Sequence, residues 1–256
     1  MRTRKISRTS SAYTLKAKFA DILYHDFENQ QLEFLKRELS KLAQRAQACF
    51  IDAGCGTGRL TGQVADELRV QVIGLDSSAH MIHRARQLNT SNRTAFKVGE
   101  LEHIRGNNQY DAIFIMFTVF NYITDPRKAK KAIRSLYQNL TPGGKLIIDA
   151  ANILNYIDCY KPKITNKFKR AEGTYTQEIS HLVDKQEMLM HHFERFITPT
   201  GGIIKEHHAL KFYPKDILQE FLEQAGFSAK KIKFLFNYST RKPNNNYPRI
   251  IAVATK

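Results

Sequence analysis

The sequence predicts an α/β fold: a mainly parallel sheet of seven strands with helices on both faces, plus an inserted antiparallel β lid. Three observations predict it. Short apolar runs alternate with helical segments between residues 48 and 149. The first of these runs ends in Asp52-Ala-Gly-Cys-Gly-Thr-Gly58, a glycine-rich turn from strand to helix. After Asp149 the pattern changes to extended segments separated by Asp184-Lys185 and Pro199-Thr-Gly-Gly202, as in hairpins. Strands that alternate with helices form a parallel sheet covered on both faces, with ligands bound beyond the carboxyl ends of the strands.

Each element has its own reason. Residues 1–14 are basic, rich in Ser and Thr and free of acid, and read as a flexible tail. A helix is expected over 15–44, where Phe19, Ile22, Leu23, Phe27, Leu32, Leu35, Leu39 and Leu42 recur at three- or four-residue spacing. Strand 48–53 leads through the glycine turn to helix 59–68, and strand 70–75 is closed by Asp76. Helix 78–88, strand 95–98 and the continuous apolar strand 111–117 follow. Pro126 opens helix 126–140 at the position helices favour for proline, and a turn at 141–144 leads to strand 145–149. The core is thus residues 15–150, and residues 151–212 form the lid, with extended segments at 175–183, 187–197 and 203–212. Residues 213–256 return to the core with helix 214–226, capped by Gly226, and two last strands at 231–236 and 250–254.

A chain of 256 residues is one large domain, or one domain plus a lid. Its composition, 42% hydrophobic and 25% charged, excludes a disordered or collagen-like chain. Three cysteines form no disulfide framework, and no Cys/His spacing fits a metal, so none is expected. Reduced thiols suit the cytoplasm. No apolar run reaches the length of a membrane span. The net charge of +16 favours an anionic partner. The basic residues are scattered, with local density at 2–8, 127–131, 161–170 and 230–233, which is weaker evidence for nucleic acid than one stripe.

The glycine turn carries the chemistry. Glycines permit a tight turn and close approach of a ligand to the backbone. The third glycine, Gly58, comes one residue earlier than in the phosphate-binding G-x-G-x-x-G pattern, and no Lys-Ser/Thr pair follows. Asp52 at the strand end suits a ligand with a cationic or hydroxyl-bearing group. The stretch resembles motif I of class I S-adenosylmethionine-dependent methyltransferases. That resemblance implies a Rossmann-like fold, with S-adenosylmethionine as cofactor and S-adenosylhomocysteine as product. It also implies that Asp52, Gly54, Cys55, Gly56 and Arg59 line the cofactor site. Asp76, twenty-four residues after Asp52 at the end of the second strand, is suited to ribose hydroxyls, with Ser77 and Met81 beside it. It also suits a helix N-cap, and the two roles are compatible. Glu100 and Leu101 follow the third strand, where the family's adenine pocket lies, and Met116 ends the fourth.

The segment Met116-Phe-Thr-Val-Phe-Asn-Tyr-Ile123 lacks the Asn/Asp-Pro-Pro-Tyr/Phe signature. It resembles the Met-Phe-x-x-x-x-Tyr stretch of small-molecule N-methyltransferases, including glycine-type enzymes and those acting on nucleotide-linked amino sugars. Phe19-Ala-Asp-Ile-Leu-Tyr24, His192-Phe-x-Arg-Phe, Gly201-Gly202 and His207-His208-Ala-Leu-Lys-Phe-Tyr-Pro extend the similarity along the chain. It implies methyl transfer to an amine on a small anionic substrate. Tyr24, Asn121, His207 and His208 are candidates for positioning or proton removal, and Tyr13, Phe117 and Tyr122 for substrate contact. Adjacent His207 and His208 on a strand point to opposite faces, so at most one faces the site. Three alternatives stay open: an RNA methyltransferase, which the charge favours; an O-methyltransferase acting on a small carboxylate or hydroxyl; and a non-enzymatic cofactor-binding protein. A homodimer is compatible with each.

Overall fold

The computed structural model describes residues 28–104, 106–152, 163–238 and 249–256. Tyr13, Tyr24 and the expected basic tail lie outside the described residues. The elements in chain order are α1 (Glu28–Ala43), β1 (Cys49–Ala53), α2 (Arg59–Leu68), β2 (Gln71–Asp76), α3 (Ala79–Leu88), β3 (Thr94–Val98), β4 (Tyr110–Ile115), α4 (Pro126–Asn139), β5 (Leu140–Ala151), β6 (Lys163–Arg170), β7 (Gly173–Asp184), β8 (Leu189–Ile197), β9 (Ile203–Lys211), α5 (Lys215–Ala225), β10 (Ile232–Phe236) and β11 (Arg249–Thr255).

Seven strands form one sheet in the order β10-β11-β5-β4-β1-β2-β3, in which only β11 runs against the others. The chain crosses over after β3, so β1 has β2 on one side and β4 on the other. Both faces of the sheet are covered, which is why its strands are apolar runs rather than alternating ones. One face packs Ile51, Ile113, Ile115 and Ile148 against α4 and α5. The other packs Phe50, Phe114 and Ile147 against Phe34, Leu35 and Leu39 of α1 and Leu60 and Val64 of α2. The described part of the first helix thus presents the apolar stripe its spacing predicts.

The expected turn at 141–144 is a correction: those residues lie inside β5. The pairing with β4 jumps from Tyr110↔Leu140 to Ala112↔Lys145, so Pro142, Gly143 and Gly144 form a bulge in a continuous strand. Arg45 holds the bulge, donating to Asp111 at 2.8 Å, to Thr141 Oγ1 at 3.0 Å and to the Pro142 carbonyl at 3.3 Å. A turn signature is overridden here by tertiary hydrogen bonds.

The insert is a second, four-stranded antiparallel sheet in the order β6-β7-β8-β9. The sequence led us to expect three of its strands; β6 is the addition. Its polar, lysine-rich sequence hides the strand, but alternate residues are exposed and it pairs with β7 along its whole length, from Lys163↔Ser180 to Arg170↔Gly173. Lysines on an edge strand discourage further pairing. One face of this sheet is the more buried, carrying Tyr175, Gln177, Met190, Phe196 and Leu210, and we call it the inner face. The outer face exposes Leu182, Phe193 and Ile203.

Candidate functional site

The carboxyl ends of β1, β2 and β4 meet where the strand order reverses, the usual ligand crevice of an open α/β sheet. The turn after β1 folds onto β2: the Gly54 and Cys55 amides donate to the Leu75 carbonyl at 2.6 and 3.0 Å. Gly54 has φ +88°, and a Cβ there would stand 2.4 Å from Val119, so this position tolerates only glycine. Gly56 has φ +55°, and a Cβ there would meet nothing within 4 Å. Gly58 caps α2, whose first residue is the half-buried Arg59.

Two aspartates stand behind this turn. Asp52 is buried and accepts from the Thr61 hydroxyl at 2.7 Å. Burial raises its carboxyl to about 7, offset in part by Thr61 and reinforced by the charge of Asp76. Asp52 therefore supports the turn from within. Asp76 is less enclosed. Its Oδ2 accepts from the Gly56 amide at 2.9 Å and its Oδ1 from the Ser78 amide at 2.8 Å. Burial still raises its pKa, against those two bonds. A carboxylate pinned through one lone pair on each oxygen keeps further acceptor capacity for a ligand. Ser77 beside it is exposed, and Ser78, the N-cap of α3, accepts from the Met81 amide at 3.3 Å. After β3, Glu100 is exposed and lies 3.1 Å from His103 Nδ1, while the Leu101 side chain is in the core. Burial also raises the Cys55 thiol, so it is not a ready nucleophile.

The third wall is the turn after β4. Met116 is buried, and Phe117 and Thr118 have φ of +55° and +58°. The 3-10 turn Val119–Tyr122 follows, which brings Val119 against Gly54. Asn121 is fully buried: its Nδ2 donates to the Lys211 carbonyl at 2.8 Å and its Oδ1 accepts from the Ala151 amide at 3.0 Å. The expected catalytic role thus meets a side chain whose two ends are committed to backbone, one in the core sheet and one in the lid. Tyr122 is 46% exposed and lies edge-on to the ring of His208, with centroids 5.5 Å apart.

The lid places the two neighbouring histidines on opposite faces. Directly opposed residues of an antiparallel pair share a face, so the pairs His181↔His192 and His192↔His208 lie on the inner face with Glu194↔Glu206. His207 pairs with Phe193 on the outer face, stacked on it at 4.5 Å and 3.0 Å from His191. His208, not His207, faces the turn after β4. On the inner face His208 Nε2 is 2.9 Å from Glu206, His181 Nε2 is 3.0 Å from His192 Nδ1, and Gln177 donates to Glu194 at 2.7 Å. Sequence reasoning missed Glu194 and Glu206. The signal was available: His192-x-Glu194 and Glu206-x-His208 have the two-residue spacing of a shared strand face. Among the described residues no group of three or more His, Cys, Asp or Glu is arranged to hold a metal ion.

Comparison with known proteins points to one class of fold and domain. Residues 50–144 match the family described as "Methyltransferase domain". The chain resembles class I, S-adenosylmethionine-dependent methyltransferases in this stretch and in its fold. The chain is 31% identical over 160 residues to the demethylmenaquinone methyltransferase of Lactiplantibacillus plantarum, covering 57% of this chain and 66% of that one. Its fold is similar to that of an S-adenosylmethionine-dependent methyltransferase from Clostridium acetobutylicum, with TM-score 0.78 and 17% identity over 95% of this chain and 98% of that one. It is also similar to an amino pentose methyltransferase from Micromonospora echinaspora, solved with S-adenosylmethionine bound, with TM-score 0.70 and 17% identity over 94% and 95% of the two chains. The residues described above suit S-adenosylmethionine: a glycine turn open at Gly56, and a carboxylate with spare acceptor capacity at Asp76. Among the described residues no helix is long and apolar enough to cross a membrane.

Proposed function

We propose that the chain is an S-adenosylmethionine-dependent methyltransferase that acts on an amino group of a small molecule held between the turn after β4 and the inner face of the lid. The observation that carries this reading is the pair Glu194 and Glu206, opposed across β8 and β9, with side chains only 10% and 9% exposed and His208 beside them. Like charges directly opposite on a sheet are destabilising. A cation relieves that repulsion, and a substrate ammonium supplies one.

In this reading Asp76 and Ser77 hold the ribose, Glu100 and Leu101 the adenine end, and the turn formed by Gly54, Cys55 and Gly56, with Asp52 behind it, the remainder of the donor. Arg59, Met81 and Met116 complete the wall. Bound S-adenosylmethionine supplies an activated sulfonium methyl and leaves as S-adenosylhomocysteine, keeping the electron pair of the broken C–S bond. The chain's own residues do the rest. The two carboxylates attract the ammonium, and His208 takes the proton that must leave before the nitrogen lone pair is free. Glu206 then stabilises the imidazolium. Phe117 and Tyr122 orient the amine, and such positioning can supply about 7–11 kcal/mol of barrier reduction. The amino pentose methyltransferase with the same fold supports an amino-sugar substrate, and the +16 charge supports one that carries phosphate outside the lid. The exposed apolar residues of the outer lid face support a homodimer.

The test is methyl transfer from labelled S-adenosylmethionine to a panel of amino sugars and their nucleotide-linked forms. Transfer to nitrogen that disappears in Glu206→Gln is the expected result. Activity on hydroxyl analogues alone would overturn the amine reading. The same charge favours RNA as a second substrate class, and salt-sensitive methylation of RNA would establish it.

A further inference from the structure

Phe117 and Thr118 are consecutive non-glycine residues in the left-handed region. For a β-branched residue such as Thr118 this is a genuine outlier, and such strain persists only where the surroundings over-determine it. The turn they form sits at the carboxyl end of β4, and its continuation drives Val119 against the Cα of Gly54. The strained turn therefore helps set the position of the glycine loop.

Something must hold it. The Phe117 amide donates to Asp149 Oδ2 at 2.9 Å. Asp149 is fully buried in β5, the parallel neighbour of β4, and no mechanistic step above uses it. The same Oδ2 accepts from the Tyr238 hydroxyl at 2.5 Å, and that hydroxyl accepts from Gln31 of α1 at 2.7 Å. The Arg249 guanidinium of β11 lies 3.6 Å away. Two residues further along β5, the Ala151 amide donates to Asn121, at the other end of the turn. One strand thus pins both ends of the turn, and α1, β11 and the residues after β10 converge on the first pin.

We propose that Asp149 is a positioning residue. Its carboxylate, backed by Tyr238, holds the strained Phe117–Thr118 turn so that Val119 presses the glycine loop into its cofactor-binding shape. Burying a carboxylate is costly unless it is bonded, and it earns its place here by accepting an amide that a strained turn would otherwise withdraw. Asn121 belongs to the same device.

The inference rests on the cofactor site as read above. Calorimetric binding of S-adenosylhomocysteine to the wild-type chain tests that site separately, before any variant is compared. Asp149→Asn is then expected to weaken S-adenosylhomocysteine about tenfold, because the Phe117 amide then meets a neutral acceptor in place of a charged one. It is also expected to move the Phe117 amide proton resonance upfield. Adding Thr118→Gly removes the conformational cost of the turn, and should restore most of the affinity. The affinity readout separates positioning from stability, because a purely structural aspartate would lose melting temperature with no change in affinity. Unchanged affinity in Asp149→Asn, or no recovery with Thr118→Gly, overturns the proposal. If Asp149→Asn does not fold, the same two criteria applied to Tyr238→Phe decide it.

Discussion

The two sheets of this protein solve different problems. The parallel sheet is buried on both faces, and its chemistry sits at strand ends, at Asp52 and Asp76 and in the glycine turn that leaves the regular ladder. The lid sheet is half-covered, and its chemistry sits along the strands, where parity alone assigns His208 and Glu206 to one face and His207 to the other. In the first, backbone geometry makes the site. In the second, side-chain register makes it. Substitutions should therefore fail in different ways in the two regions.

The sharpest way to test that contrast is an alanine at a glycine in each. Gly54→Ala forces a Cβ to within 2.4 Å of Val119 at φ +88°, and should abolish measurable S-adenosylhomocysteine binding by calorimetry. Gly201→Ala in the β8–β9 turn also has positive φ, +83°, but its Cβ meets nothing within 4 Å. It should cost only about 1 kcal/mol of stability and leave that affinity unchanged. Equal losses at both would break the comparison.

Next in size is the removal of side chains from each sheet. His208→Ala should lower kcat toward an amine by about a hundredfold, in the range of general-base effects, with S-adenosylhomocysteine affinity intact. His207→Ala, on the outer face, should leave kcat within a factor of about two if only the inner face carries catalysis. Asp76→Ala should do the reverse of His208→Ala, weakening S-adenosylhomocysteine by about ten- to a hundredfold, as expected for lost hydrogen bonds to a charged acceptor. A kcat effect without an affinity effect at Asp76 would assign it to the wrong half of the site.

The smallest effect is a pH dependence of stability. Burial raises Asp52 from 3.8 to about 7, so between those values the folded chain holds a proton that the unfolded chain has lost. This contribution to stability is full below about pH 4 and is lost as pH rises through about 7. The melting temperature of the wild type, relative to Asp52→Asn, should fall over that window. A flat difference would mean that Asp52 is ionised in the fold.

Much of the core was legible without coordinates. Gly54, Gly56 and Gly58 after an apolar strand, with Asp76 at the next strand end, declare a ligand turn because few other residues tolerate that backbone, and few positions place a carboxylate there. The lid was legible as antiparallel but incomplete: β6 reads as a polar loop until β7 pairs with it. His208 was separable from His207 only as one of two, since parity tells that neighbours part company but not which face is covered. The expected turn at 141–144 failed because Arg45, almost a hundred residues earlier, turns its proline and glycines into a bulge.

What the sequence by itself determined is therefore the parallel α/β class, the position of the cofactor turn and the acids that end β1 and β2. All of these rest on local conformational preference and short-range spacing. Only the tertiary structure decided which lid face looks inward, that Asn121 ties the core to the lid, and that Asp149 restrains the strained turn at Phe117 and Thr118. Those facts join residues as far as 207 positions apart, as in the bond from Gln31 to Tyr238. No local pattern carries them, because a hydrogen bond between distant segments depends on how whole elements pack and not on the residues that flank either partner.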